Sequence, residues 1–144
     1  MIQRIQTVFL ALIVLLFVLF FFIPVLEFSF VNDDAESRMI PLTQMPLLLA
    51  GEVLIALIAF VTIFLYKTRK RQAKIAQFGM LLSLLLFAGV AAMPKMISAD
   101  HDTTHVILQG IGTWFLLANP VLFFLAARSI KKDEELVRSA DRLR

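Results

Sequence analysis

YKTRKRQAK, residues 66–74, places five of the chain's fourteen Lys and Arg residues between two long hydrophobic runs. Short basic loops between apolar segments stay on the cytoplasmic side of a membrane, and they orient every segment joined to them. The stretch therefore reads as the cytoplasmic hairpin of an integral membrane protein. With the hairpin inside, the direction of each other segment follows.

Composition agrees. The 144 residues are 60% hydrophobic with a mean hydropathy of +0.85, against about 45–50% apolar residues in soluble domains. Lipid is the expected solvent for most of the side chains, and a chain of this length makes one domain, residues 1–144. Cysteine is absent, which excludes disulfide frameworks, thiolate zinc sites and thiol nucleophiles together.

The hydrophobic runs, charged only at Glu52, predict an all-α integral membrane protein with four transmembrane helices over about 5–26, 47–66, 75–94 and 106–127. Each is near the roughly 20 helical residues that cross a ~30 Å hydrocarbon layer. The first run competes with a cleavable signal peptide, but it is long for one and FFIPVLEF has no small-x-small cleavage site, so an uncleaved span is expected. Residues 27–45 are polar and acidic, with Phe28, Phe30, Met39, Ile40 and Leu42 flanking Asn32-Asp33-Asp34 as a candidate strand pair at the membrane surface. Pro46 suits the first position of the second helix. Tyr66 ends that helix where an interfacial aromatic is expected. KMISADHDTTH, residues 95–105, reads as a short polar loop, and residues 128–144 as a charged tail that can prolong the fourth helix.

Sorting charges by side tests this topology. Arg4, the hairpin cations Lys67, Arg69, Lys70, Arg71 and Lys74, and the tail's Arg128, Lys131, Lys132, Arg138, Arg142 and Arg144 fall inside; less the acids Asp133, Glu134, Glu135 and Asp141, that side nets 12 − 4 = +8. Outside, Arg38 and Lys95 against Glu27, Asp33, Asp34, Glu36, Asp100 and Asp102 net 2 − 6 = −4, and Glu52 within the membrane completes the formal +3. Both termini are expected in the cytoplasm, with small periplasmic loops.

Glu52 is the one ionisable residue inside a predicted span. An acidic group at mid-bilayer costs about 2.5–3.5 kcal/mol on insertion scales, which makes it a functional candidate by default. Helical spacing aligns it with Ala56, Ala59 and Ile63, next to Thr62, on a face fit to meet other helices. A hydrogen-bonded packing residue is the plainer reading, and a proton or cation relay the sharper one. In the fourth span, Asn119-Pro120 predicts a kink because Pro120 removes a backbone donor and crowds the preceding turn. Asn119 joins Glu52 as a candidate intramembrane polar site. Gly110, Gly112 and Thr113 loosen the outer half of that span, and Trp114 falls near its middle instead of at an interface. Gly79 with Ser83, and Ala88 with Ala92, are small-xxx-small pairs that let helix backbones approach.

His101 and His105 stand four apart beside Asp100 and Asp102, a metal-ligand spacing on a helix. A structural zinc site wants about four ligands, so a solvated turn capping the fourth span through Thr103 or Thr104 is the reading preferred. No metal, catalytic residue or cofactor is expected. In the tail, Leu136, Ala140 and Leu143 share a face, and Lys131 with Glu135 and Glu134 with Arg138 are at i, i+4 spacing. That helix and the basic hairpin suit anionic lipid at the cytoplasmic surface; charge alone does not separate lipid from RNA, and no specific nucleic acid is predicted.

The opening MIQRIQTVFL, the hairpin IFLYKTRKRQAKI and the close KKDEELVRSADRLR resemble the bacterial membrane-protein family called domain of unknown function 4293. Gln3, Arg4, Ile5 and Gln6 and the end from Ser139 to Arg144 are its most specific residues. The resemblance covers essentially the whole chain and implies a four-span inner-membrane protein of Gram-negative bacteria, with no activity and no functional residue to carry over. All these motifs fall on the predicted cytoplasmic side, which makes Arg4, Lys67, Arg69, Lys70, Arg71, Lys74, Arg138, Asp141, Arg142 and Arg144 a candidate contact surface. The function expected is a non-enzymatic accessory or assembly subunit of a larger membrane complex, with other integral membrane proteins as partners and protein export as one candidate process. The alternative is a small oligomeric transporter or channel using Glu52 and the kinked fourth span.

Overall fold

A computed structural model describes residues 5–30, 38–41, 44–100 and 105–141. Helix α1 covers Ile5–Leu19, α2 Pro46–Phe64, α3 Arg69–Asp100, α4 Ile111–Leu116 and α5 Ala118–Asp141. Strands β1 (Pro24–Phe30), β2 (Arg38–Pro41) and β3 (His105–Gln109) form an antiparallel sheet in the order β2-β1-β3. Three helical segments, Pro46–Phe64, Arg69–Lys95 and Ile111–Ser139, are long and apolar enough to cross a membrane, while the apolar α1 is shorter.

The helices pack in a ring. α1 lies against α2 and α5, α2 against α3, and α3 against α5, so α2 and α5 face each other across a diagonal. Leu10 and Ile13 of α1, Ile55 and Ala59 of α2, Ala73 and Ala76 of α3, and Phe123, Ala126 and Ile130 of α5 fill the interior. Gly79 is what lets the middle close. A Cβ there would stand 2.6 Å from the Phe123 ring of α5 and 3.1 Å from Ile58 of α2. Ser83, the other half of the expected small pair, is buried too, whereas Ala88 and Ala92 are exposed. Outward-facing Leu81, Leu84, Leu85, Phe60 and Phe64 stay largely exposed, as expected of side chains that meet acyl chains.

The strand pair expected beyond the first helix is present, with Glu27 opposite Met39 and Leu26 opposite Ile40. A third strand was not anticipated. Residues 105–109 pair along the other edge of β1, Phe28 opposite Ile107 and Phe30 opposite His105. An apolar run such as Val-Ile-Leu is compatible with helix or strand, and here an open strand edge with unpaired backbone groups decides it. The last apolar run thus begins its helix at Ile111 instead of residue 106. Likewise α1 ends at Leu19 and the apolar residues after it turn into β1, while α3 passes through Pro94 and Lys95 to Asp100, where a loop was expected. A proline is tolerated in a membrane helix when the freed carbonyl finds other partners.

Two further expectations are corrected. Trp114 lies in α4 within a turn of the sheet and is 61% exposed; with residues 105–109 in a strand, it sits near the end of the apolar segment, where an amphipathic aromatic belongs. Gly110 and Gly112 do not loosen their helix. They admit the start of β1: a Cβ on Gly110 would be 2.8 Å from the Pro24 carbonyl oxygen, and one on Gly112 would be 2.6 Å from it. Both obstacles are backbone and cannot swing aside.

Substitution at these glycines gives opposite outcomes. Gly112→Ala is expected to lower the melting temperature in detergent, with a loss of about 1–3 kcal/mol typical of overpacking. Gly89→Ala, where nothing lies within 4 Å of the added Cβ, should hold or raise it, because alanine is the better helix former by up to about 1 kcal/mol. Equal melting of the two variants would refute the close-approach role of Gly112.

Candidate functional site

Glu52 and Asn119 are brought together in the interior. Glu52 projects from the face of α2 that buries Leu48, Ile55, Ala56, Ala59 and Thr62; of the stripe its spacing predicted, Ala56, Ala59 and Thr62 are buried and Ile63 is half-buried. Asn119 comes from the first turn of α5, opposite on the diagonal. Its Nδ2 donates to Oε1 of Glu52 at 3.3 Å and to Oε2 at 3.2 Å, and each residue is only 1% exposed. Asn119 Oδ1 is buried with no partner among the described residues.

Pro120 explains why Asn119 is where it is. With no N–H, Pro120 leaves the Leu116 carbonyl without its usual helical donor, and its ring crowds that same carbonyl. The helix breaks at Leu117, between α4 and α5, with the Leu117 N–H turned to the Trp114 carbonyl at 3.2 Å. Pro120 then occupies the opening turn of α5, where a missing donor is least costly. The expected kink is therefore a helix interruption just ahead of Asn119.

Chemically, the pair is a carboxyl clamped by an amide in an apolar setting, with one spare carbonyl oxygen beside it. No second carboxyl or histidine is joined to it among the hydrogen bonds of the described residues. Nor do the described residues contain a group of three or more His, Cys, Asp or Glu able to hold a metal ion. Of the expected histidine pair, His101 lies outside the described residues, as do Thr103 and Thr104, and His105 opens β3. The position before α4 is Gly110, which makes no side-chain cap.

At the hairpin end, some of the candidate residues lie near one another. The 3-10 turn Leu65–Lys67 and Thr68 reverse the chain. Arg69 then reaches across to α5, its Nη1 donating to the Asp133 carbonyl oxygen at 3.2 Å. A groove of about 440 Å³ gathers Ile5 and Gln6 of α1, Arg69, and Ser129, Lys132, Asp133, Leu136 and Val137 of α5, so the chain's beginning, hairpin and tail helix do converge. Lys70, Arg71, Lys74 and Arg138 are exposed. Arg4, Arg142 and Arg144 lie outside the described residues, as do the side chains of Lys67, Asp141 and Ala140; Leu143 is also outside them.

Sequence reasoning missed Gln72, and it read Thr113 as loosening its span, not as a buried donor. Gln72, 1% exposed, donates from Nε2 to the Thr62 carbonyl oxygen at 3.0 Å and so caps the end of α2 from α3, locking the hairpin. Its signal was a neutral amide one turn inside a basic loop. Thr113 Oγ1 donates to the Val25 carbonyl oxygen at 2.7 Å in a buried bond between residues 88 apart in sequence, and no local pattern points to that.

A double-mutant cycle measures the interior pair. Glu52→Leu leaves the Asn119 amide unpaired and is expected to cost about 1–3 kcal/mol. Asn119→Leu strips the carboxyl of its donor and costs at least as much. The double variant, with both polar groups replaced by apolar ones of similar size, should lose less than the sum by about 1 kcal/mol or more. Additive losses in thermal unfolding would mean that the two side chains do not act on each other.

No curated protein matches the chain. The family model described as Domain of unknown function (DUF4293) matches residues 2–143, nearly the full length, in agreement with the resemblance carried by the two ends and the hairpin. The chain belongs to this DUF4293 family.

Proposed function

We propose that this chain is a multi-pass protein of the bacterial inner membrane with four spans, in which α1 and the apolar turn after it make the first, and both termini and the basic hairpin face the cytoplasm. Its role is non-enzymatic: an accessory or assembly subunit that other integral membrane proteins recognise, with protein-export machinery as one candidate complex. The charge distribution supports the orientation. In sequence, the five hairpin cations and the basic tail alternate across the apolar runs with the acidic segment 27–36, the pattern of basic loops kept inside and acidic ones outside.

The observation that carries the role is the convergence at the hairpin end. Ile5 and Gln6, Arg69, and Ser129, Lys132, Asp133, Leu136 and Val137 line one groove, held by the Arg69 to Asp133 bond. Three separate parts of the chain, including those that bear the family resemblance, thus contribute to one surface. Lys70, Arg71, Lys74 and Arg138, from the hairpin and the tail helix, are exposed, as a surface meant for another molecule would be.

A second reading has one observation in its favour. The buried Asn119 Oδ1 without a partner among the described residues, beside the Glu52 carboxyl at a helix interruption, is a start on the cation or proton site of a small oligomeric transporter or channel.

Mild-detergent purification of the tagged protein at native expression separates the two. Accessory function predicts a reproducible partner set at defined stoichiometry, reduced by Lys70→Glu, Arg71→Glu and Lys74→Glu together and untouched by Glu52→Gln. Recovery of a homo-oligomer alone, with a proton-coupled flux in liposomes abolished by Glu52→Gln, would replace the first reading by the second.

A further inference from the structure

A second groove, of about 600 Å³, opens between α3 and α5 at the hairpin end. Its lower wall is apolar or neutral: Met80 and Gln77 from α3, with Phe124 and Ala127 from α5. One turn further along α5 stand Arg128, Lys131, Lys132 and Glu135, all exposed. Phe124, Arg128, Lys131 and Glu135 recur at helical spacing, so a single face of α5 changes from apolar to cationic within the length of the groove. Phe124 is 51% exposed, which leaves the apolar part open sideways toward the bilayer, while the cations surround the mouth.

We propose that this groove binds one anionic phospholipid of the cytoplasmic leaflet, its phosphodiester held by Arg128, Lys131 and Lys132 and the first part of an acyl chain lying along Phe124 and Met80. The gradient is that of the ligand. A phosphate suits a guanidinium, which can bind it through two N–H groups, and two ammonium groups acting as point charges. The hydrocarbon beneath it suits a lateral opening that a soluble ligand would not need. Glu135 leaves the mouth at +2 and offers an acceptor to the hydroxyls of a glycerol headgroup. Lys132 also lines the groove that contains Arg69, so an occupied lipid site adjoins the proposed contact surface.

The inference rests on α3 and α5 spanning the membrane, not on any partner protein. Carbonate washing tests that premise separately: release of the chain from membranes would overturn the spanning reading itself. The lipid site is tested with purified full-length protein in phosphatidylcholine nanodiscs containing a minor fraction of phosphatidylglycerol, counting retained lipid by native mass spectrometry. R128Q/K131Q/K132Q is expected to lower phosphatidylglycerol retention about tenfold or more. K70Q/R71Q/K74Q removes the same charge from exposed hairpin positions and should leave retention within about twofold. Melting in phosphatidylcholine alone checks that both variants are folded. Equal loss in the two variants would assign the effect to the general basic field and overturn the site. So would retention unchanged in R128Q/K131Q/K132Q, or displacement of the lipid by millimolar inorganic phosphate, which would make a soluble anion the occupant.

Discussion

The carbonyl oxygen of Val25 accepts two hydrogen bonds from the far end of the chain, one from the Gly110 N–H at 3.0 Å and one from Thr113 Oγ1 at 2.7 Å. Where water is excluded, each backbone polar group needs a partner within the protein, and irregular backbone is tolerated only when neighbours supply one. The chain leaves helical structure between α1 and α2 and again between α3 and α4. Joining those two interruptions in one sheet lets each satisfy the other. The glycines at 110 and 112 are the condition for it, since any side chain there would meet the Pro24 carbonyl before the bonds could close.

From that closure the rest of the bundle follows in depth. With β1 tied to the entry of α4, the break at Leu117 comes level with the upper half of α2, and Asn119 meets Glu52 across the diagonal. A buried polar pair of this kind adds little net stability compared with two apolar side chains, yet it strongly penalises any arrangement that separates its members. Its structural effect is on register: sliding α5 by one turn would strand both groups in hydrocarbon. Below it, Gly79 and Phe123 set the distance between α3 and α5.

The opposite end is built on different chemistry. Gln72 caps α2 from α3 and Arg69 ties the hairpin to α5, so the positively charged loop is held against the tail helix despite like charges on both. Two grooves result, on either side of α5 and sharing Lys132. One collects the beginning of the chain and the hairpin; the other opens toward the apolar surface. Lipid at the second would neutralise part of the charge that borders the first.

Hydrophobic runs, the basic hairpin and the single intramembrane carboxyl were legible in the sequence because each is a local pattern: a run length against bilayer thickness, a cluster of cations, one charge among apolar neighbours. They determined the helical membrane class, the hairpin's position, the inward face of α2 and the pair of residues to watch, Glu52 and Asn119. What the sequence left open was where helix gives way to strand. Residues 105–109 are apolar enough to continue a helix, and only the unpaired edge of β1, supplied from eighty residues away in the chain, turns them into β3. That edge also moved Trp114 to the end of its apolar segment and gave Gly110 and Gly112 their purpose. The same holds for Gln72 and Thr113, whose acceptors belong to other elements, and for the bond between Asn119 and Glu52. Hydrophobic periodicity states which residues avoid water, whereas the partners of buried polar groups are set by which backbones and side chains the fold brings within hydrogen-bonding distance.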